Sequence, residues 1–425
     1  MSGDIVSWVI DLAKLKDDEK YKQGAIDKGC SAELIEEALS VSQVRKNEIT
    51  ATETLRAEAN AKSKEIGKAS PEEREAKIAA ASELKGQLTE AEEKLKKVQE
   101  QFDEVVLQIP NPAHETVPVG GEEDFRVESV SGETTPAQKS HGDLGRDLAI
   151  VDTERAVRMS GSRFAYVMGD AARLQFGIVQ WALAKLDKHG FTPVVTPVLV
   201  REEMMEKAGF FPTDKSAVYK VEGDDLYLTG TSEVGLAGIH RDEQLTAEQL
   251  PLRYAGYSSC FRREAGTYGK DTSGLFRVHQ FDKVEMFVYA HPDESWAELE
   301  RIREIEEEII SELELPYRVI TVASGDLGAA AAKKYDVEVW LPSEQRYREA
   351  TSCSNYTDFA ARRMGSTLKT SEGTQLLHTL NGTATAIGRT LLYIFENHQN
   401  SDGSITVPEV LRSFCGGLEV IEPNK

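Results

Sequence analysis

Cysteine is scarce and scattered: the 425-residue chain has four, at positions 30, 260, 353 and 415, with no CxxC and no Cys/His cluster. That spacing supports neither a disulfide framework nor a zinc site, so no zinc is expected. Histidine is equally thin, with eight residues dispersed along the chain, and His279 reads as a hydrogen-bonded structural group rather than a ligand or base. No stretch of about 18 consecutive apolar residues occurs, so no membrane span is expected. The opening, MSGDIVSWVIDLAKLKDDEK, carries Asp4 and Asp11 and no basic segment ahead of its short apolar run, which points to a cytoplasmic protein. Neither GxxxxGK[ST] nor GxGxxG is present, which argues against a P-loop or Rossmann nucleotide site. Positive charge is in deficit, with 50 Lys and Arg against 72 Asp and Glu and a net charge of −22. Indiscriminate nucleic-acid binding is therefore disfavoured, no DNA partner is expected, and any RNA contact must be confined to local patches.

What is present fits a globular chain of two domains, with 40% hydrophobic and 29% charged residues. Residues 1 to 30 carry little pattern. From Ser31 to Gly67, Ile35, Ala38, Ile49, Leu55, Ala59 and Ile66 recur at helical spacing, interrupted by Ser42, Arg45 and Thr52. A second helix starts at Ala69-Ser70-Pro71, with proline in its first turn. Its residues Ala81, Leu84, Leu88, Ala91, Leu95, Val98, Phe102 and Val105 form an unbroken heptad seam. Two such helices joined by a short turn predict an antiparallel hairpin; a dimerising coiled coil is the alternative. From Ser31 to Val105 the arm holds 12 Lys and Arg against 17 Asp and Glu, an awkward surface for RNA. Ile109-Pro110-Asn111-Pro112 stops the second helix, and residues 113 to 145, rich in Gly, Glu, Ser, Thr and Pro, read as a linker or edge segment. The expected domains are 1–112 and 113–425.

Beyond the boundary, a helix is predicted over Asp170 to Leu186, followed by the β-run HGFTPVVTPVLV, whose Pro193 and Pro197 confine it to a sheet edge or an interface. Strands are predicted at Val218–Leu228, Leu252–Phe261, Phe276–Val288 and Tyr317–Val322, and helices at Glu294–Leu313 and Ile387–His398. With no regular βαβ repeat, this is an α+β arrangement on a largely antiparallel sheet. At its centre Cys260 to Phe287 reads as two strands joined by a loop with glycines at 266, 269 and 274 and with Lys270 and Asp271 at its tip. The strands carry Arg262, Arg277, Lys283, Glu264 and Glu285, a charge density at odds with bland core. Pattern alone also admits a solvated hairpin with surface ion pairs.

FRREAG (261–266), GKDTSGLFRVHQFDKVEMF (269–287), TSE (231–233) and LNGTATAIGRTL (380–391) resemble the active-site motifs of bacterial-type seryl-tRNA synthetases, which are class II aminoacyl-tRNA synthetases. ASGDLG (323–328), KKYDVEVWLP (333–342), YREATSCSN (347–355) and ENHQNSDGSITVPEVL (396–411) extend the likeness in the same order. The resemblance implies an N-terminal antiparallel coiled-coil arm that binds tRNA, and a class II catalytic domain that dimerises through the helix and strand of residues 170–200. It implies a ligase that activates L-serine with ATP and transfers it to tRNA(Ser), with tRNA(Sec) a further candidate.

The likeness also assigns roles. Arg262 would bridge the α-phosphate and the amino-acid carboxylate, and Arg389 would grip the γ-phosphate. Arginine suits both because its planar fork donates two charge-assisted hydrogen bonds to one oxyanion. Glu264 and the Val278 backbone would address adenine and Phe281 would stack on it. Arg263, Ala350 and Thr351 complete the implied ATP set, and Glu349 and Ser352 would hold Mg2+ between phosphates. Thr231, Ser232, Glu233, Arg262, Glu285, Asn381 and Thr383 would hold serine, although TSE alone could equally be a helix N-cap. A site built to bond the substrate hydroxyl can reject the analogue lacking it by about 10⁴–10⁵. Arg56, Asn60, Ser63 and Lys64 match the distal, tRNA-embracing part of the arm. Two departures stand out: the added methyls of Ala384, Thr385 and Ala386 after Thr383 would narrow the pocket, and Tyr356, where the family often has Cys or a small polar residue, would put bulk near the expected metal site. A non-catalytic RNA-binding relative and a ligase loading a carrier protein are the rival readings; the first lacks support because both motif arginines are present, and the second leaves the arm unexplained.

Overall fold

The computed structural model describes residues 9–67, 69–136, 138–264 and 274–422, and these fall into two compact units that divide between Pro110 and Asn111. In the first unit, α1 (Ala32–Ile66) and α2 (Pro71–Val106) run antiparallel, each about 53 Å long at 1.5 Å per residue. Ser31 caps α1 by accepting from the Leu34 amide at 3.1 Å, and Pro71 opens α2 where its missing N–H costs nothing. Cross-helix pairs of Arg56 with Glu92 and Lys94 with Glu48 follow the antiparallel register. The expected seam residues face α1, but only Leu84, Phe102 and Val105 of them are buried, the rest being half-buried. Arg45 does not interrupt the seam: its Nε donates to Gln99 at 2.5 Å and its guanidinium lies 4.9 Å over the Phe102 ring. The base of the arm has a true core, in which Val9, Ile10, Leu15 and Ala25 from the poorly patterned opening pack with Ile35, Val41, Phe102 and Ile109.

The second unit is built on an eight-stranded sheet. Its strands are β1 (Arg126–Ser131), β2 (Thr192–Val195), β3 (Leu252–Phe261), β4 (Gln280–Ala290), β5 (Tyr317–Thr321), β6 (Lys333–Leu341), β7 (Arg346–Asn355) and β8 (His378–Ala386). Their spatial order is β1-β5-β6-β7-β8-β4-β3-β2, antiparallel throughout except where β2 joins β3. Alternation along β4 explains the layers: Val284, Met286, Val288 and Ala290 enter the main core, while Lys283 and Glu285 face the other way. That core is completed by α3 (Gly169–Lys188), α4 (Ser295–Glu312) and α5 (Ile387–Asn397), through residues such as Leu174, Ile302 and Leu391. Gly382 lets α4 approach β8, because a Cβ there would lie 2.3 Å from Ile302 Cγ2.

Two expectations change. The strand expected from Phe276 begins only at Gln280, because the Phe276 ring is drawn beneath the guanidinium groups of Arg348 and Arg389, at 3.7 and 4.8 Å. The run Val218–Leu228 splits into two short paired strands, Tyr219–Lys220 and Tyr227–Leu228, reversed at Gly223 with φ +88°. Residues 113–145, read as a linker or edge segment, do supply edge strand β1, and the short helix His141–Asp147 follows it. The loop positions Gly266, Gly269, Lys270 and Asp271 lie outside the described residues. None of the described helices is long and apolar enough to cross a membrane.

Candidate active site

Where β3, β4, β8 and β7 run side by side, their register brings polar residues from distant sequence into one row. Glu285 stands opposite Gly256 on one neighbour and Thr383 on the other, and Ser354 stands opposite Asn381. A β-bulge between Val284 and Glu285 leaves Ala384 without a partner on β4. This row floors a cavity of about 400 Å³, lined at one end by Thr231, Glu233, Glu285, Tyr356, Asn381 and Thr383 and at the other by Glu264, Val278, Phe281, Glu349, Ser352 and Arg389.

Glu285 is the hub of the first end. Its Oε1 accepts from Lys283 Nζ at 2.6 Å and Asn381 Nδ2 at 3.3 Å, and its Oε2 accepts from the Thr231 and Ser232 hydroxyls and the Glu233 amide. Burial alone would raise this carboxyl, but Lys283 and the hydroxyl donors outweigh it and hold it ionised below its ordinary range. Glu233 is the opposite case. Burial, with the Glu285 charge beside it, pushes its carboxyl up to about 8, and its hydrogen bond from the Tyr356 phenol only partly offsets this. One end thus holds an ionised and a protonated carboxyl side by side. The Thr231–Glu233 turn can lie on β3 only because residue 256 is glycine: a Cβ there would sit 2.9 Å from Ser232 Oγ.

At the other end, Arg262 lies with its guanidinium 5.2 Å from the Phe281 ring and its Nε 3.3 Å from the Gly230 carbonyl, at the junction of the two halves. Arg389 opens α5 and donates to both the carbonyl and carboxylate oxygens of Glu349. Burial opposes ionisation of Glu349, yet Lys334 and Arg389 carry it down to about 2. Asp336, 2.9 Å from Lys334 Nζ, is pushed up to about 7 by burial and by the Glu349 charge. Glu264 sits at φ 48° with its carboxylate 3.2 Å from Arg277. His279 is structural in geometry, with Nδ1 2.8 Å from the Arg262 carbonyl oxygen and its ring 5.2 Å from Phe164.

Most residues singled out from the sequence meet here, including Ala350 and Thr351. Ser232 lies just beneath the lining, bonded to Glu285 and the Gly256 carbonyl. Arg263 is not brought to the cavity: backbone alternation sends it outward from Arg262, and it borders a separate depression with Lys215, Tyr219 and Lys220. Tyr356 lines the same cavity as Glu233, Glu349 and Ser352. Sequence reasoning gave no site role to Lys334, Phe276 or Lys283, although it noted Lys283 among the strand charges; Lys283 stands two residues from Glu285, a spacing that on a strand puts both on one face. On the arm, Arg56, Asn60, Ser63 and Lys64 are exposed along one face of α1, with Arg56 paired to Glu92. Among the described residues no group of three or more His, Cys, Asp and Glu side chains could hold a metal ion.

Comparison with known proteins agrees with this geometry. Residues 218–398 match the tRNA synthetase class II core domain (G, H, P, S and T), and residues 9–113 match the seryl-tRNA synthetase N-terminal domain. Serine--tRNA ligase 1 of Streptomyces avermitilis is 46% identical over 98% of this chain and 99% of its own. The Serine--tRNA ligase of Mycobacterium avium is 46% identical with the same coverage. Among solved structures, seryl-tRNA synthetase from Pyrococcus horikoshii complexed with ATP superposes with a TM-score of 0.90 at 37% identity, over 98% of this chain and 100% of that one. The chain belongs to the seryl-tRNA synthetase family.

Proposed function

We propose that the protein activates L-serine with ATP and transfers the seryl group to the 3′ end of tRNA(Ser), as a cytoplasmic homodimer with residues 1–112 as tRNA-binding arm and 113–425 as catalytic domain. The observation that carries this reading is the union, in one cavity, of a Glu285–Glu233 end suited to a small hydroxylated ammonium compound with an Arg262–Arg389 end suited to phosphates.

The chemistry needs no protein nucleophile, only positioning and charge stabilisation. A serine carboxylate oxygen attacks the α-phosphorus of ATP, the bond to the β-phosphate oxygen breaks, and pyrophosphate leaves. Arg262, between the two ends, neutralises charge on both reactants, and Arg389 holds the departing phosphates. Glu264, the Val278 backbone and Phe281 take the adenine. In the second step a hydroxyl of the terminal adenosine attacks the seryl carbonyl and AMP leaves. Thr231, Ser232, Glu285, Asn381 and Thr383 fix the amino acid, Ser232 acting through Glu285.

Glu349, held ionised, and Ser352 both line the cavity and are hard-oxygen donors of the kind that would hold Mg2+. Magnesium there would neutralise phosphate charge. The homodimer is supported by apolar side chains left exposed beside the edge strand: Phe176 on α3 at 61% and Val195 on β2 at 78%.

Serine-dependent pyrophosphate exchange, measured alongside charging of tRNA(Ser), tests the reading. Exchange that requires serine, with charging of tRNA(Ser), is expected; exchange without tRNA charging would instead favour a carrier-loading ligase. The same charging assay with tRNA(Sec) decides on that acceptor.

A further inference from the structure

His141 precedes every active-site motif in sequence, yet it is bonded to the cavity wall. It opens the short helix His141–Asp147, and its imidazole bridges two other elements. On one side Nδ1 lies 2.7 Å from Oε1 of Glu396, near the end of α5, and the His141 amide donates to the same oxygen at 2.9 Å. On the other side Nε2 accepts from the Leu275 amide at 3.2 Å. A backbone N–H can only donate, so Nε2 carries no proton; these partners assign the neutral tautomer, with the proton on Nδ1 donated to Glu396. Glu396 is itself fixed. Its side chain is fully buried, and Ser343 donates to it from its amide at 2.9 Å and from its hydroxyl at 3.0 Å. Burial opposes ionisation of this carboxyl, but the donors from His141 and Ser343 hold it below its ordinary range.

Leu275 is where the wall begins. Residues Leu275, Phe276, Arg277 and Val278 line the cavity in succession, and Gly274 turns the chain ahead of them at φ +83°. That turn rests on the imidazole: a Cβ at residue 274 would lie 2.1 Å from His141 Nε2, so only glycine permits the approach. The next ring, Phe276, lies beneath the guanidinium groups of Arg348 and Arg389 at 3.7 and 4.8 Å. Arg389 and Glu396 are seven residues apart on α5, about two turns, and so share a face of that helix. The wall is therefore held to one face of α5 at two successive residues, Leu275 through His141 and Glu396, and Phe276 under Arg389.

We propose that His141 is a positioning residue for ATP: by tying the Leu275 amide to Glu396 it sets the Phe276 ring beneath Arg389, and so aims that guanidinium at the γ-phosphate. The proposal rests on the functional reading above and deepens it. His141 is not among the residues that line the cavity, so its effect passes through Leu275 and Phe276.

Full-length variants test each link, with pyrophosphate exchange measured against ATP and serine in turn. In His141→Gln the carboxamide oxygen reaches the place of Nε2 and can still accept from Leu275. In His141→Asn the shorter amide takes the place of Nδ1, keeps Glu396 and leaves the Leu275 amide unpaired. His141→Asn is expected to raise KM for ATP about tenfold with KM for serine within about twofold of the parent, and His141→Gln to recover most of that loss. Combined with Phe276→Leu, His141→Asn should raise KM for ATP little beyond the larger single effect, because both interrupt one chain of contacts.

An unchanged KM for ATP in a folded His141→Asn, or an equal rise for ATP and serine, overturns the proposal. So does a His141→Gln variant as impaired as His141→Asn, and so do effects of His141→Asn and Phe276→Leu that multiply. Should His141→Asn not fold, Gly274→Ala, which drives a methyl against Nε2 from the wall side, gives the same comparison: a rise confined to ATP supports the proposal and an equal rise for both substrates overturns it. If the parent enzyme gives no serine-dependent exchange, the functional reading falls and takes this proposal with it, a result distinct from normal parent activity with insensitive variants.

Discussion

Arg389 Nη1 lies 3.1 Å from the carbonyl oxygen of Glu349 and 3.2 Å from its carboxylate, so the residue proposed to grip the γ-phosphate also orients the residue proposed to hold magnesium. Two charge-assisted contacts of about 1.5–3 kcal/mol each correspond to a loss of about 10²–10⁴-fold in rate when the side chain is truncated. Arg389→Ala and Arg262→Ala should therefore each nearly abolish pyrophosphate exchange while melting temperature changes little. Arg389→Lys should recover little, because a point charge lacks the fork. Near-parent exchange rates in either folded alanine variant would remove these arginines from the mechanism.

Glu233, proposed to hold serine, should make serine binding depend on pH. With its carboxyl raised to about 8 by burial and by Glu285, against the opposing Lys283, Tyr356 and Arg262, it is largely neutral at pH 7. A substrate ammonium beside it favours the ionised form, so binding releases a proton and serine affinity rises between pH 6 and about 8. The stability linkage has the opposite sense: a folded pKa above the ordinary 4.5 stabilises most below pH 4.5, and that contribution is lost as pH rises through about 8. Titration calorimetry in two buffers of different ionisation enthalpy measures the released proton directly. Proton uptake, or none, would contradict the assignment, and Glu233→Gln should abolish the release.

The arm's seam was legible because every residue in it repeats at one spacing, whereas its basal core was not. Val9, Leu15 and Ala25 come from short helices with no sustained period, and Arg45 belongs to the seam only through Gln99 and Phe102 on the other helix. The sheet's long strands were legible from alternation, and the charged centre of β3 and β4 stood out for the same reason. Strand register was not legible, and register is what places Asn381 beside Ser354 and Thr383 beside Glu285. Arg263 shows the cost of reading adjacency as proximity, since neighbours on an extended chain point apart. Lys334 carries no local signal; it matters through Glu349 on another strand.

Phe176 and Val195 give the proposed homodimer a sharp test. A charged residue at each, Phe176→Glu with Val195→Glu, replaces exposed apolar surface and leaves the core-facing side of α3 untouched. The double variant should run as a monomer by light scattering at concentrations where the parent is a dimer. A parent protein that is a stable, fully active monomer refutes the interface.

The arm should matter for tRNA and not for serine activation, since every residue proposed for adenylation lies after Asn111. A clean deletion must spare the basal core, in which Ile35, Ala38 and Val41 pack against Phe102, Val105 and Ile109 together with the opening helices. Cutting there would expose an apolar face and confuse binding with misfolding. Arg45 Nε donates to Gln99 Oε1 at 2.5 Å, and beyond this pair the seam is only half-buried apart from Thr52 and Leu84, so the helices can be joined at the level of Arg45 and Gln99. Replacing residues 46–98 by a short Gly/Ser turn should leave pyrophosphate exchange within a few-fold of the parent while tRNA charging drops steeply. With 12 Lys and Arg against 17 Asp and Glu between Ser31 and Val105, the arm offers few phosphate contacts, so the salt dependence lost with it should be shallow, about two to four counterions. Normal charging by the deletion variant would show that the arm does not recognise tRNA. A steep salt dependence lost with the arm would show that local cationic faces, such as the one carrying Arg56 and Lys64, outweigh its net charge.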